Sequence, residues 1–179
     1  MEPDETLYTR VKEGDLRAFD ELYARHAARL YGFVRAQLRT RADAEDVVHE
    51  AILATLESDP VDLDRASFRT WLYRVARNRV LNRIRSQGRG DRALLKLRAE
   101  ETSSPPADDA MARHELLHAL DGAVARLPAT LSELYHLRSS GLSYEEMAAV
   151  LEIPLGTLKS RMNQMVTTLR DEMRPWTAR

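Results

Sequence analysis

The chain contains no cysteine in 179 residues. Disulfides and thiolate-bound zinc are therefore excluded, and nothing in the sequence resists a reducing cytosol. No signal peptide is expected either, since MEPDETLYTR is acidic and polar where such a segment is basic and then apolar. No apolar run approaches the length of a membrane span, so the expectation is a cytoplasmic protein without membrane insertion. Neither a convincing alternating strand nor an internal repeat is found.

What is present is helical patterning and an uneven distribution of charge. With 44% apolar residues the chain can form one ordinary domain or two small ones. The net charge of -1 conceals an asymmetry. Residues 1–66 carry 15 acidic against 9 basic residues, whereas residues 67–92 carry 8 arginines against the single acid Asp91. A basic block of this kind is either a solvated helix face or a surface for phosphates.

Phe19, Leu22, Tyr23, His26, Leu30, Phe33, Val34 and Leu38 recur at helical steps, as do Val48, Ile52 and Leu56 after a start at Asp43. A third helix opens at Ser67 and carries the stripe Phe68, Trp71, Leu72 and Val75. The segment GRGD ends it. The run ETSSPPADDA (101–110) is rich in proline, small and acidic residues, and is expected to be a connector that buries little.

Beyond it, GLSYEEMAAVLEIPLGTLKSRMNQMVTTLR is the most informative stretch. Ser143 and Glu146 form an S-x-x-E capping box, and a short helix follows that buries Met147, Val150 and Leu151. Pro154 sits at the start of a second helix, where its missing N–H costs nothing. With small Ala148 at the crossing, this is a helix-turn-helix. On the second helix Leu155, Leu158, Met162, Met165, Val166 and Leu169 share one face. Gly156, Thr157, Ser160, Asn163 and Gln164 lie opposite, flanked by Lys159 and Arg161. Flanking cations suit phosphates, and central amides and hydroxyls suit base edges in the major groove.

A competing motif is HELLH, residues 114–118, whose spacing is that of two zinc-binding imidazoles and a general base. The H-E-x-x-H-x-x-G-x-x-H extension is missing. Leu117, Leu120, Val124 and Leu127 make the apolar stripe of this helix, which places His114 and His118 toward solvent. No third ligand is convincing, because Glu133 stands beyond Pro128 on another helix. No metal, cofactor or catalytic residue is expected.

The chain resembles the extracytoplasmic-function sigma factors, promoter-recognition subunits of bacterial RNA polymerase. AFDELYARHAARLYGFV is similar to their region 2.1, DAEDVVHEAILATL to 2.2, SFRTWLYRVARNRVLNRIR to 2.3 and 2.4, and LPATLSELYHLR with GLSYEEMAAVLEIPLGTLKSR to region 4. The resemblance implies an all-α protein of two small helical domains: residues 1–92 (region 2), a flexible linker at 93–110, and residues 111–179 (region 4, with the helix-turn-helix). It implies that core polymerase is bound through its clamp and flap, with Asp46, His49 and Glu50 facing the clamp. It also implies that Arg74, Arg77, Asn78 and Arg85, with Asp62 in the preceding loop, meet the minus-ten element. Thr157, Lys159, Ser160, Arg161, Asn163 and Gln164 would meet the minus-thirty-five element, and an anti-sigma factor would be the regulatory partner. An autonomous helix-turn-helix regulator is the alternative.

Several positions depart from the family pattern: His49 where glutamine is usual, Asp62 where an aromatic is common, and Leu56 where tryptophan is common. Glu152 occupies the turn position where glycine is frequent. Asn163 and Gln164 stand where basic or aromatic residues often follow the KSR triplet. Trp71 and Tyr73 could stack on bases, but their spacing favours the core for Trp71.

Overall fold

The helical expectation holds among the described residues, which in this computed structural model are 2–57, 67–88 and 108–177. Eight helices and no strand occur there. The first four are α1 (Asp4–Lys12), α2 (Leu16–Arg35), α3 (Arg41–Glu57) and α4 (Phe68–Gly88). The others are α5 (Asp108–Arg126), α6 (Ala129–Ser139), α7 (Tyr144–Leu151) and α8 (Leu155–Thr177). The loop containing Asp62, and the expected connector up to the start of α5, lie outside the described residues.

Local chemistry explains most helix starts. Asp15 accepts from the backbone N–H of Arg17 and Ala18 at the head of α2, while its other carboxylate oxygen holds Arg10. Hydrogen bonding to Arg10 keeps the Asp15 carboxyl below its ordinary range. Thr40, not Asp43, starts α3: the Thr40 hydroxyl accepts from the Asp43 N–H at 3.0 Å and donates to the Asp43 carboxylate at 2.6 Å. The expected boundary therefore moves by a few residues, because Asp43 fills the third position of a capping motif rather than the cap itself.

The first helix, α1, has no counterpart in the sequence reading, where this stretch registered only as acidic and polar. It buries Leu7, Tyr8 and Val11. Its acids also hold the neighbouring helices in place. Asp4 binds Arg25 at 2.7 Å and His26 at 2.7 Å, and Glu5 accepts the free backbone N–H of Phe68 at the head of α4 at 3.1 Å. Tyr8, Phe68 and Trp71 form an aromatic cluster with centroids 5.5–6.0 Å apart, and the His26 ring lies against Phe68 at 5.5 Å.

Four stripe residues are exposed instead of buried: Tyr23, Leu56, Leu117 and Val166. Periodicity identifies an apolar face, but neighbouring helices determine how much of it is covered. The other stripe positions of α2 and α8 are buried or half-buried.

The α7–α8 pair is the expected helix-turn-helix. Ser143 accepts from the Glu146 N–H at 3.1 Å, and the Glu146 carboxylate accepts from the Ser143 N–H at 2.8 Å. The turn places Glu152 at φ 56°, ψ 42°, which is left-handed and unfavourable for a residue with a Cβ. Glu152→Gly is expected to raise stability by about 0.5–1 kcal/mol, because relief of this strain outweighs the added freedom of the unfolded glycine. Urea unfolding followed by circular dichroism checks it, and a loss of stability would show that the turn is unstrained. Pro154 stands immediately before α8, and its carbonyl accepts the Leu158 N–H at 3.0 Å.

Candidate nucleic-acid interface

The second helix of the motif presents the division that its sequence implies. Leu158, Met162 and Met165 are buried, while Lys159, Ser160, Asn163 and Gln164 are exposed and Thr157 and Arg161 are half-buried. Among the described residues no hydrogen bond or ion pair engages the Lys159, Ser160, Arg161, Asn163 or Gln164 side chains. This face has donors and acceptors to offer a partner, on a helix locked from behind by its core contacts.

The basic helix α4 is more divided. Its stripe, Phe68, Trp71 and Leu72, is buried with Val75 half-buried, so Trp71 is core. Asn78 and Arg85 are exposed and Arg74 is half-buried. Arg77, expected on the same DNA-facing arc, donates to Glu133 of α6 at 2.8 Å. Arg69 makes a two-pronged contact with Glu146 of α7, at 3.0 and 2.5 Å. Burial pushes the Glu146 carboxyl up, but Arg69, the Ser143 N–H and Ser67 together hold it below its ordinary range. Burial raises the Tyr73 hydroxyl above its ordinary range, with the nearby Ser140 acting in the opposite direction. These cross-module contacts were not foreseen in the sequence.

The expected polymerase-facing residues Asp46, His49 and Glu50 form an exposed patch on α3. Beside it a surface groove of about 380 Å³ is lined by Tyr23, Ala27, Tyr31, Val48 and His49, which gives the exposed Tyr23 a place in this face. Glu50 binds Arg79 at 2.9 Å and approaches Arg83 at 3.7 Å. Asp43 holds Arg83 at 3.0 Å and Gln87 at 2.9 Å, fixing the distal half of α4 on α3. Its hydrogen bond from Thr40 contributes most to keeping its carboxyl below the ordinary range.

The HELLH rings lie with centroids 6.1 Å apart, His118 exposed and His114 half-buried. Among the described residues no group of three histidine or acidic side chains is placed to hold a metal. No described helix is long and apolar enough to cross a membrane.

Two family models match the chain in this order: sigma-70 region 2 over residues 22–90, and sigma-70 region 4 over residues 117–168. The RNA polymerase sigma-H factor of Pseudomonas aeruginosa is 31% identical, over 90% of this chain and 89% of its own length. This chain belongs to the sigma-70 family of RNA polymerase sigma factors. The ECF RNA polymerase sigma-E factor of Escherichia coli K12 is 30% identical, covering 96% of this chain and 95% of its own. Among solved structures, CnrH in complex with the cytosolic domain of CnrY aligns over 96% of this sigma factor and 97% of the solved chain, at 25% identity and a TM-score of 0.67. RpoE of Bartonella quintana, solved with the anti-sigma factor NepR, shares the fold at 22% identity and a TM-score of 0.69, over 87% and 96% of the two chains. The region 2 match spans α3 and α4, and the region 4 match includes α6, α7 and the recognition half of α8.

Proposed function

We propose that this sigma factor binds core RNA polymerase and directs it to promoters through two separate readings of DNA. The observation that carries this is the pairing of both sigma-70 matches with an exposed, amide- and cation-bearing face on α8. In this reading Thr157, Lys159, Ser160, Arg161, Asn163 and Gln164 meet the minus-thirty-five element. Arg74, Arg77, Asn78 and Arg85, with Asp62, meet the minus-ten element as it opens. Asp46, His49 and Glu50 face the polymerase clamp, and the neighbouring tyrosine-lined groove extends that surface.

Residues 1–92 and 111–179 then act as two modest binders joined through 93–110, and polymerase fixes their separation so that the second promoter element is captured intramolecularly. The protein works in the cytoplasm and performs no bond chemistry itself. Control by an anti-sigma factor is part of this reading: CnrH was solved with the cytosolic domain of CnrY, and RpoE with the anti-sigma factor NepR.

In vitro transcription with purified core polymerase on a promoter library tests the reading. Initiation at a shared pair of elements, dependent on this chain, is the expected result. An operator complex formed equally well without polymerase, with no transcript, would instead support an autonomous regulator.

A further inference from the structure

We propose that α1 positions the minus-ten reading surface: Glu5 and Lys12 hold the head of α4 and the end of α3, the two helix ends joined by the chain that carries Asp62. The proposal rests on the assignment of Asp62 and α4 to minus-ten DNA. Glu5 accepts the Phe68 N–H at 3.1 Å, and Lys12 donates to the Leu56 carbonyl at 2.8 Å. Seven residues apart, Glu5 and Lys12 lie on one face of α1. Their Cα atoms are separated by about 10 Å along its axis.

Both contacts fall on groups that helix geometry leaves open. The Phe68 N–H is the first of α4, and the Leu56 carbonyl belongs to the last turn of α3. The charges match as well, with a carboxylate at the positive end of the α4 dipole and an ammonium at the negative end of α3. Neither contact is needed to form its helix. Ser67 already caps α4, its hydroxyl accepting the Thr70 N–H at 3.2 Å, and Leu56 is 44% exposed, so water can serve its carbonyl. What Glu5 and Lys12 add is placement, since both ends are tied to one helix.

That helix is itself fixed. Leu7, Tyr8 and Val11 are buried, Asp4 binds Arg25 and His26, and α1 packs against α2, α3 and α4. The separation of the two ends is therefore set by α1. Fixing both ends of a connection narrows the arrangements open to the chain between them and lowers the cost of ordering it on a ligand. Glu5 and Lys12 are thus positioning residues, acting on DNA through α3 and α4.

Holoenzyme formed from core polymerase and the full chain tests this by abortive initiation on single-base variants of both promoter elements. Glu5→Ala with Lys12→Ala leaves the net charge unchanged. This double variant should slow initiation at the preferred minus-ten sequence roughly threefold to tenfold. It should also flatten the minus-ten preference while the minus-thirty-five preference, read by α8, stays as it was. Glu5→Gln with Lys12→Arg keeps the acceptor and the donor, and should restore both rate and preference.

An unchanged minus-ten preference in the alanine double variant would overturn the positioning role. So would an equal loss on every variant of both elements, the mark of a merely less stable protein. Salt dependence of holoenzyme binding should remain as steep as in the wild type, because a shallower one would make Lys12 a phosphate contact instead. Asp62→Ala and Asn78→Ala in the same assay test the underlying assignment. If these change the minus-ten preference and the alanine double variant does not, positioning alone falls. If none of them changes it, the assignment to minus-ten DNA falls and positioning with it.

Discussion

Trp71→Ala is expected to destabilise the protein by about 3–5 kcal/mol, the range for removing a large aromatic side chain from a packed core. The indole is 3% exposed and lies against Tyr8 and Phe68, with ring centroids 6.0 and 5.9 Å away. Truncation would leave a cavity at the junction of α1 and α4, where Glu5 also binds the head of α4. Trp71→Phe keeps part of the contact and should lose less. The competing idea, an indole that stacks on an unpaired base, makes the opposite prediction: stability unchanged and promoter opening lost. Urea unfolding followed by circular dichroism, alongside permanganate footprinting of holoenzyme complexes, separates the two. A Trp71→Ala protein of wild-type stability that cannot open a promoter would remove Trp71 from the core and make it a DNA contact.

The contrast between Trp71 and Tyr23 shows how much the sequence could tell. Both sit in apolar stripes of helical period, yet one is enclosed and the other exposed. Trp71 lies where α1 crosses α4, whereas Tyr23 lines an open groove between α2 and α3. Period identifies a face, while burial depends on a neighbour whose position is a long-range fact. For the same reason Leu117, 53% exposed, departs from the α5 stripe. Short-range chemistry was legible: the Ser143–Glu146 box and the left-handed turn at Glu152 are set by residues a few positions apart.

The first helix escaped because α1 is nine residues long and mostly polar, with Leu7, Tyr8 and Val11 as its core contribution. On α8 the candidate site was legible, since one helix carries both the buried and the offered face. On α4 it was only half legible. The wheel grouped Arg74, Arg77, Asn78 and Arg85, but nothing local could show that Arg77 meets a glutamate 56 positions away.

The recognition helix carries the most specific expectation. Lys159 and Gln164 are both exposed on α8, but they differ in place: Lys159 flanks the offered face and Gln164 stands near its centre. A lysine at the flank reaches phosphates, so Lys159→Ala should weaken holoenzyme binding by a similar factor on all promoters and make the dependence on salt shallower. A central amide can pair with the N6 and N7 edge of adenine, so Gln164→Ala should relax preference at one position of the minus-thirty-five element. The lost discrimination would be about 1–3 kcal/mol, or roughly tenfold to a hundredfold, for a bidentate contact. Leu158, Met162 and Met165 anchor the helix from behind, so neither substitution should disturb the fold. Holoenzyme binding to every single-base variant of the element, at several salt concentrations, measures both effects. If Gln164→Ala lowers all affinities equally while Lys159→Ala changes the preferred base, α8 enters the groove rotated from this orientation, with Lys159 rather than Gln164 against the bases.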